Sequence, residues 1–396
     1  MLQRELKKAI IELRKEYPVL AILGPRQSGK TTLAKMTFPK YKYINLEEPA
    51  VREYAISDPR GFLSDNKTGL IIDEIQRVPD LLSYLQAMVD NEKKMGKYII
   101  TGSQNFLLMQ NISQSMAGRV ALFKLLPLSL SEIFTTDLKY IDYEGFVFKG
   151  FYPVLYQNKI QTSVYYKNYI QTYIEKDIRQ IKNITDLNMF QKFVKLCAAR
   201  AGGILNLSSL ADDCGINHNT ARAWIGVLEA SFIIFLLPPF YKNFGKRLIK
   251  SPKLYFYDTG ILCNLLGIAD AEQLKSHYLK GSIFENFIIV EIFKHIYNQG
   301  REPSIYFWQD KHGKEIDCIL ENGSSHFPLE IKSGKTISSD YFNNLKYYEK
   351  IAGSSYNEGF LIYGGDEIQK RTGVTVYGWR DLKQMFRKLK INLPKN

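Results

Sequence analysis

The stretch GPRQSGKTT, Gly24 to Thr32, follows the apolar run Val19, Leu20, Ala21, Ile22, Leu23 and precedes a Lys-rich segment. A strand that ends in a glycine-bounded loop and continues into a helix aims several backbone N–H groups, and the positive end of a helix dipole, at one spot. That spot suits a phosphate chain. The spacing G-x-x-x-x-G-K-[ST] is met in full by Gly24, Gly29, Lys30 and Thr31, with Thr32 next. The glycines allow backbone angles and a close approach that a Cβ would prevent, Lys30 reaches outer phosphates, and the Thr31 hydroxyl suits Mg²⁺. An ordinary glycine-bounded loop is the alternative; the strand before and the helix after favour the phosphate seat. Nothing in this stretch selects a purine.

The chain has 396 residues, 45% of them hydrophobic, enough to bury cores for roughly two to four domains. No apolar run approaches the ~18 residues of a membrane span; the longest, Phe232 to Leu237, stops at Pro238 and Pro239. Leu6, Ile10, Leu13 and Tyr17 share one helical face, and the start lacks the apolar core of a signal peptide, so a cytoplasmic location without a membrane partner is expected. Cys197, Cys214, Cys263 and Cys318 are far apart and no histidine is ligand-spaced to them, which indicates neither a disulfide framework nor a zinc site. The net charge of +13 concentrates locally at Lys242 to Lys253 and Arg380 to Lys395. Solvated surface explains such runs; a polyanionic partner is the alternative that so large a charge favours.

Leu70, Ile71 and Ile72 read as a short buried strand ending in Asp73 and Glu74. In a nucleotide site Asp73 would hold the Mg²⁺ shell while Glu74, one residue on, polarises the attacking water. An acidic strand end that caps the next helix has the same appearance. A further apolar strand, Tyr98, Ile99, Ile100, runs into Thr101, Gly102, Ser103, Gln104, which offers hydroxyls beside a γ-phosphate or is simply a polar loop.

With these residues in view, positions 1 to about 200 resemble the AAA+ class of ATPases, specifically the compact prokaryotic group with IIDEIQRVPDLL and IITGSQNFLL at its second and third motifs. The resemblance implies ATP and Mg²⁺ as cofactors and puts Thr101 to Gln104, Ser103 foremost, at the sensor-1 position. It also makes Arg119, in SMAGRV, an arginine finger supplied across a subunit boundary of a homo-oligomer; a surface arginine at a helix end would read the same. No second-sensor arginine is evident from the sequence; Arg179 and Arg200 are candidates and no more.

After PLSLSEIF the chain carries the turn Gly150 to Pro153 and a tyrosine-rich helical pattern in which Tyr165, Tyr169 and Tyr173 form a stripe, read here as the packing face of a lid and connector. LSSLADDCGINHNTARAWIGVLEAS then has the grammar of two helices about a turn. Leu207, Leu210 and Ala211 suit the first, Gly215 the turn, Asn217 the cap, and Ala221, Trp224, Ile225 and Leu228 the buried face of the second. FIIFLL, the basic YKNFGKRLIK and KLYFY follow, and the whole resembles a winged helix. His218, Asn219 and Arg222 would face base edges of DNA, and Lys242, Lys246, Arg247 and Lys250 its phosphates; a protein-binding winged helix is the alternative.

The last third holds Glu285 on a helical pattern, Asp317 in EIDCIL, and Glu330 with Lys332 in PLEIKSG. Strand alternation puts Glu330 and Lys332 on one face, with Asp317 opposite Ile316, Cys318 and Leu320. Two carboxylates and a lysine can converge, and Asp317 and Glu330 would ligate Mg²⁺ while Lys332 positions a water or offsets phosphate charge. With a helix over 339–351 and the strand GFLIYG, the order helix, three strands, helix, strand resembles the PD-(D/E)xK nuclease superfamily, and Glu285 matches its helical acidic residue. Such a fold does not by itself imply cleavage.

The expected architecture is α/β: a P-loop AAA+ core (1–135) with a parallel sheet, a helical lid (136–200), a winged helix-turn-helix (201–258) and a restriction-endonuclease-like domain (259–396). The expected function is ATP hydrolysis acting on or docking to DNA, with nuclease activity as an added capacity. The rival is a signalling or defence switch whose C-terminal half binds protein and cleaves nothing.

Overall fold

A computed structural model describes residues 2–64, 68–103, 116–135, 142–174, 186–240, 250–322, 325–353 and 356–389. Five parallel strands form the first sheet: β1 (Val19–Leu23), β2 (Lys42–Asn45), β3 (Leu70–Asp73), β4 (Tyr98–Gly102) and β5 (Val120–Lys124), in the order β2-β3-β4-β1-β5. Alternation along β1 feeds two cores: Val19, Ala21 and Leu23 enter one with the helix Leu81–Glu92, while Leu20 and Ile22 enter the other with Leu33 and Ala34. Helices on both faces explain why β1, β3 and β4 are buried at every residue. The expected N-terminal helix is Leu6–Leu13, with Leu6 and Ile10 inward. Because β4 lies between β1 and β3, the strand ends carrying Gly24, Thr101 and Asp73 stand side by side.

A third apolar cluster runs from Leu126 to Leu389 and takes residues from the connector, the middle helices and the C-terminal sheet alike. Tyr165 and Tyr169 pack in it beside Tyr152 and Tyr166, as the stripe predicts; the Tyr173 side chain lies outside the described residues. The two expected middle helices are Leu207–Cys214 and His218–Ala230. Gly215, at φ 82°, ends the first, and Asn217 accepts Thr220 N at 2.8 Å to start the second. β6 (Ile234–Leu237) and β7 (Lys253–Phe256) pair antiparallel behind them. On β7, Phe256 donates to Asn286 Oδ1 at 2.7 Å and its carbonyl accepts Asn286 Nδ2 at 2.8 Å, so a helix side chain stands where a further strand would.

The C-terminal sheet contains β8 (Ile305–Gln309), β9 (Glu315–Asn322), β10 (Ser325–Lys332), β11 (Gly359–Tyr363), β12 (Gln369–Arg371) and β13 (Val374–Gly378), in the order β12-β13-β11-β10-β9-β8. β10, β11 and β13 are parallel; the other pairings are antiparallel. The helix Lys280–Tyr297 covers one face with Cys318, Leu320 and Ile331, and Asn343–Ala352 covers the other with Ile316, Ile319 and Leu361. Helix, three strands, helix and strand thus follow in the order read from the sequence. Among the described residues no helix is long and apolar enough to cross a membrane.

Candidate functional site

The loop after β1 is shaped by its glycines. Gly24 has φ +156°, and a Cβ there would lie 2.2 Å from Leu125 O; Gly29 has φ +94° and opens the helix Lys30–Thr37. Lys30 is buried, and its ammonium donates to the carbonyls of Gly24 at 3.0 Å and Pro25 at 2.8 Å. Burial pushes it down to about 8, with Glu74 and Asp73 pulling the other way. The Ser28 hydroxyl is wholly buried with no hydrogen-bond partner, a donor left over for a ligand.

Asp73 collects three hydroxyls. Thr31 and Tyr43 donate to Oδ2, each at 2.8 Å, and Thr101 donates to Oδ1. Glu74 sits in the left-handed region at φ 57°, an unusual conformation for glutamate, and Gln76 donates to its carboxylate while Ser103 Oγ lies 3.3 Å away. Thr32 is exposed on the first helical turn, and Gln104 lies outside the described residues. The structure therefore gathers Lys30, Thr31, Asp73, Glu74, Thr101 and Ser103 and adds Tyr43 and Gln76. These oxygens and the lysine fit a nucleoside triphosphate with a divalent ion.

Two supports of this loop come from far along the chain. Arg4 donates to Ser28 O at 2.6 Å, Leu126 O at 2.7 Å and Glu132 Oε1 at 3.0 Å. Glu132 also completes a capping box with Ser129, which LSLSE does spell in the sequence. Next to it Leu130 N donates to Glu291 Oε2 at 2.7 Å, and Lys294 donates to Leu128 O at 2.9 Å, so one hydrogen-bonded path joins the loop to the helix that carries Glu285. From the connector, Tyr165 donates to Gln27 Oε1 at 2.8 Å.

Arg119 lies just before β5, at the edge where the strands begin, and pairs with Asp90 at 2.6 Å. The phosphate loop leaves the opposite edge, about 16 Å away for a five-residue strand. Arg119 thus does not face the loop of its own chain. Arg200 pairs with Asp213 instead of the loop, and Arg179 lies outside the described residues.

In the C-terminal domain Asp317 Oδ2 accepts Ile331 N at 2.7 Å and lies 3.2 Å from Lys332 Nζ, which is 2.5 Å from Glu330 Oε2. Glu330 is buried, neither of its oxygens has a well-aligned hydrogen bond, and burial together with the Asp317 charge holds its carboxyl above the usual range. The expected Asp317, Glu330 and Lys332 do converge. Glu285 joins them from the helix, together with Glu315, which the sequence reading missed although it shares a strand face with Asp317 two residues on. One carboxylate oxygen from each of Glu285, Glu315 and Asp317 lies within 4.8 Å of the others, a donor set that suits a hard divalent ion.

The basic run Lys242 to Lys253 requires a correction at its end. Lys253 is not solvated surface: only 3% exposed, it points inward and contacts Glu285 Oε1 at 3.1 Å and Glu315 Oε1. Tyr255, two residues on, also donates to Glu285. Lys242, Lys246 and Arg247 lie outside the described residues; Lys250, His218, Asn219 and Arg222 are exposed.

Comparison with known proteins divides the chain into three matches: residues 16–134 with the family described as AAA domain, 140–272 with Domain of unknown function (DUF8612) and 280–382 with Domain of unknown function (DUF4143). The "Uncharacterized protein Rv2008c" of Mycobacterium tuberculosis is 28% identical over 323 residues, 81% of this chain and 71% of its own. The "Uncharacterized protein MJ1544" of Methanocaldococcus jannaschii is 22% identical over 334 residues, 76% of this chain and 72% of its own. Among solved structures, the Walker-type ATPase PABY2304 of Pyrococcus abyssi is 17% identical, covers 66% of this chain and 94% of that one, and has a TM-score of 0.44. Over residues 16–134 the chain is similar to AAA domains, and its glycine loop, acidic strand end and parallel sheet are those of a P-loop nucleotide-binding fold.

Proposed function

We propose that this chain is a Mg²⁺-dependent ATPase whose nucleotide state is passed to a C-terminal half that docks DNA. The observation that carries the ATPase reading is the meeting of Thr31, Thr101 and Tyr43 on Asp73 beside the buried Lys30. Thr31 and Asp73 would hold the ion, which offsets phosphate charge when bound; Lys30 and the loop N–H groups orient the phosphates; Glu74 takes a proton from water, with Ser103 and Gln76 fixing its carboxylate. The hydrogen-bonded path from Arg4 through Glu132 to Glu291 supports transmission to the C-terminal half. The DNA reading draws on the exposed His218, Asn219 and Arg222, on the winged-helix likeness and on the net charge of +13.

In that reading the C-terminal domain is nuclease-like, with Glu285, Asp317 and Glu330 as metal ligands and Lys332 as the charge that positions water. The second reading, a switch ATPase whose C-terminal half binds protein without cleaving, is favoured by the contacts of Lys253 with Glu285 and Glu315. The test is duplex DNA binding as a function of salt, with a Mg²⁺- or Mn²⁺-dependent cleavage assay beside it. A log-log slope of several units and cleavage lost in Lys332→Ala support the nuclease reading. A flat slope with intact ATP hydrolysis supports the switch.

A further inference from the structure

The cluster of Glu285, Glu315 and Asp317 brings three carboxylates together, with Glu330 joined to it through Lys332, and meets two ammonium groups, Lys253 and Lys332. The two lysines differ in origin. Lys332 belongs to β10, on the same sheet as Asp317 and Glu330, whereas Lys253 enters from β7 of a separate two-stranded sheet. It is the more deeply set: its side chain is 3% exposed against 30% for Lys332. Lysine is rarely buried so far unless its charge is matched, and here the matching groups are Glu285 and Glu315.

We propose that Lys253 is a resident cation of this cluster, occupying the place between Glu285 and Glu315 that a divalent ion would take, so that ammonium and metal exclude one another. The inference rests on the reading of these carboxylates as metal ligands and adds the device that keeps them from the metal. Two geometric facts support exclusion. The three converging carboxylate oxygens lie within 4.8 Å of one another, and Lys253 Nζ lies 3.1 Å from Glu285 Oε1 while also contacting Glu315. A cation bound to oxygens at about 2.3 Å would stand in direct repulsion with that ammonium. The anchor of Lys253 is firm, because Tyr255 on the same face of β7 donates to Glu285, and the next residue, Phe256, is paired with Asn286. Metal entry therefore requires the Lys253 side chain to leave, and whatever displaces β7 sets the metal affinity of a site on another sheet.

The test is Mn²⁺ binding to nucleotide-free full-length protein, read by electron paramagnetic resonance. Lys253→Met should bind one Mn²⁺ about tenfold or more tightly than wild type, and adding Glu285→Gln should abolish the gain. Equal binding by wild type and Lys253→Met, lost in Asp317→Asn, overturns the proposal and leaves the metal reading standing. No Mn²⁺ bound by either protein overturns both. Should Lys253→Met fail to fold, wild type decides: under amine acetylation followed by mass spectrometry, Lys253 should be protected without metal and become reactive at saturating Mn²⁺. Protection unchanged by bound Mn²⁺ also overturns the proposal.

Discussion

The Thr31 hydroxyl donates to the Asp73 carboxylate at 2.8 Å across 42 residues of sequence. One oxygen comes from the first turn of the helix after the loop and the other from the end of a strand two places away in the sheet. A divalent ion bound with nucleotide would take both as neighbours, so the hydroxyl and the carboxylate already stand where that ion would join them.

Lys30 and Glu74 should fail differently. Lys30→Ala should weaken ATP binding by about tenfold or more, roughly 1.4 kcal/mol, because it removes the ammonium proposed to meet phosphate. Glu74→Gln should keep binding and lose turnover by about 10²- to 10⁴-fold, the usual range for a general base. Fluorescent-nucleotide binding and phosphate release separate the two, and equal loss of binding in both would sink the assignment.

The pH response of Lys30 has opposite signs in binding and in folding. Burial holds the ammonium at about 8 in the nucleotide-free loop, and phosphate favours its charged form. ATP affinity should fall as pH rises above about 8, approaching tenfold per unit, by titration calorimetry. An unfolded lysine keeps its proton to about 10.4, so between these values the unfolded state binds more protons. The nucleotide-free fold should therefore gain stability with rising pH across that window. Lys30→Met should abolish both trends; a binding curve flat in pH would show that the lysine carries its charge throughout.

Arg119 faces away from its own phosphate loop, so any catalytic effect must be exerted on a neighbouring copy. Arg119→Ala should lose about 10³-fold in turnover and recover part of it when mixed with Lys30→Ala subunits. A mixture that stays inactive, with assembly shown intact by sedimentation, would leave Arg119 as the partner of Asp90 alone.

Arg4 should be as sensitive as a residue of the loop itself. Its guanidinium serves three acceptors at once, a fork that lysine cannot reproduce. Arg4→Ala leaves the buried Glu132 without its cation and should cost about 3 kcal/mol of stability, measured by urea unfolding. Arg4→Lys should restore little of the ATP affinity; full recovery would reduce Arg4 to a point charge.

The parts legible in the sequence are those written within a few neighbouring residues. The loop of Gly24 to Thr31, the strand ending in Asp73 and Glu74, and the helix pair about Gly215 each carry their own periodicity and capping, whereas a bulge in the β8–β9 pairing breaks the alternation expected of β9 and puts Ile316 with Ile319, across the sheet from Cys318 and Leu320. What escaped was carried by contacts between distant segments. Arg4 and Glu132 are 128 positions apart and Lys253 and Glu315 are 62 apart, and no local pattern relates them. Glu315 could have been found from its place two residues before Asp317. Lys253 left one sign, a lysine opening the otherwise apolar KLYF, but its position at the end of a basic run pointed to solvent. Tyr43 gave none, since a tyrosine on an edge strand is ordinary.

The pairing of Asn286 with the backbone of Phe256 has a consequence for stability. The backbone rung of β7 at Phe256 lies in the interior, since Phe256 and Asn286 are both 0% exposed, and water cannot serve it. The Asn286 amide fills that rung with one donor and one acceptor, and it also fixes the helix phase that turns Glu285 toward β7. Asn286→Leu should therefore leave a buried donor and acceptor unpaired and rotate an acidic ligand out of register in one step, so that stability and Mn²⁺ binding decline together in the same variant.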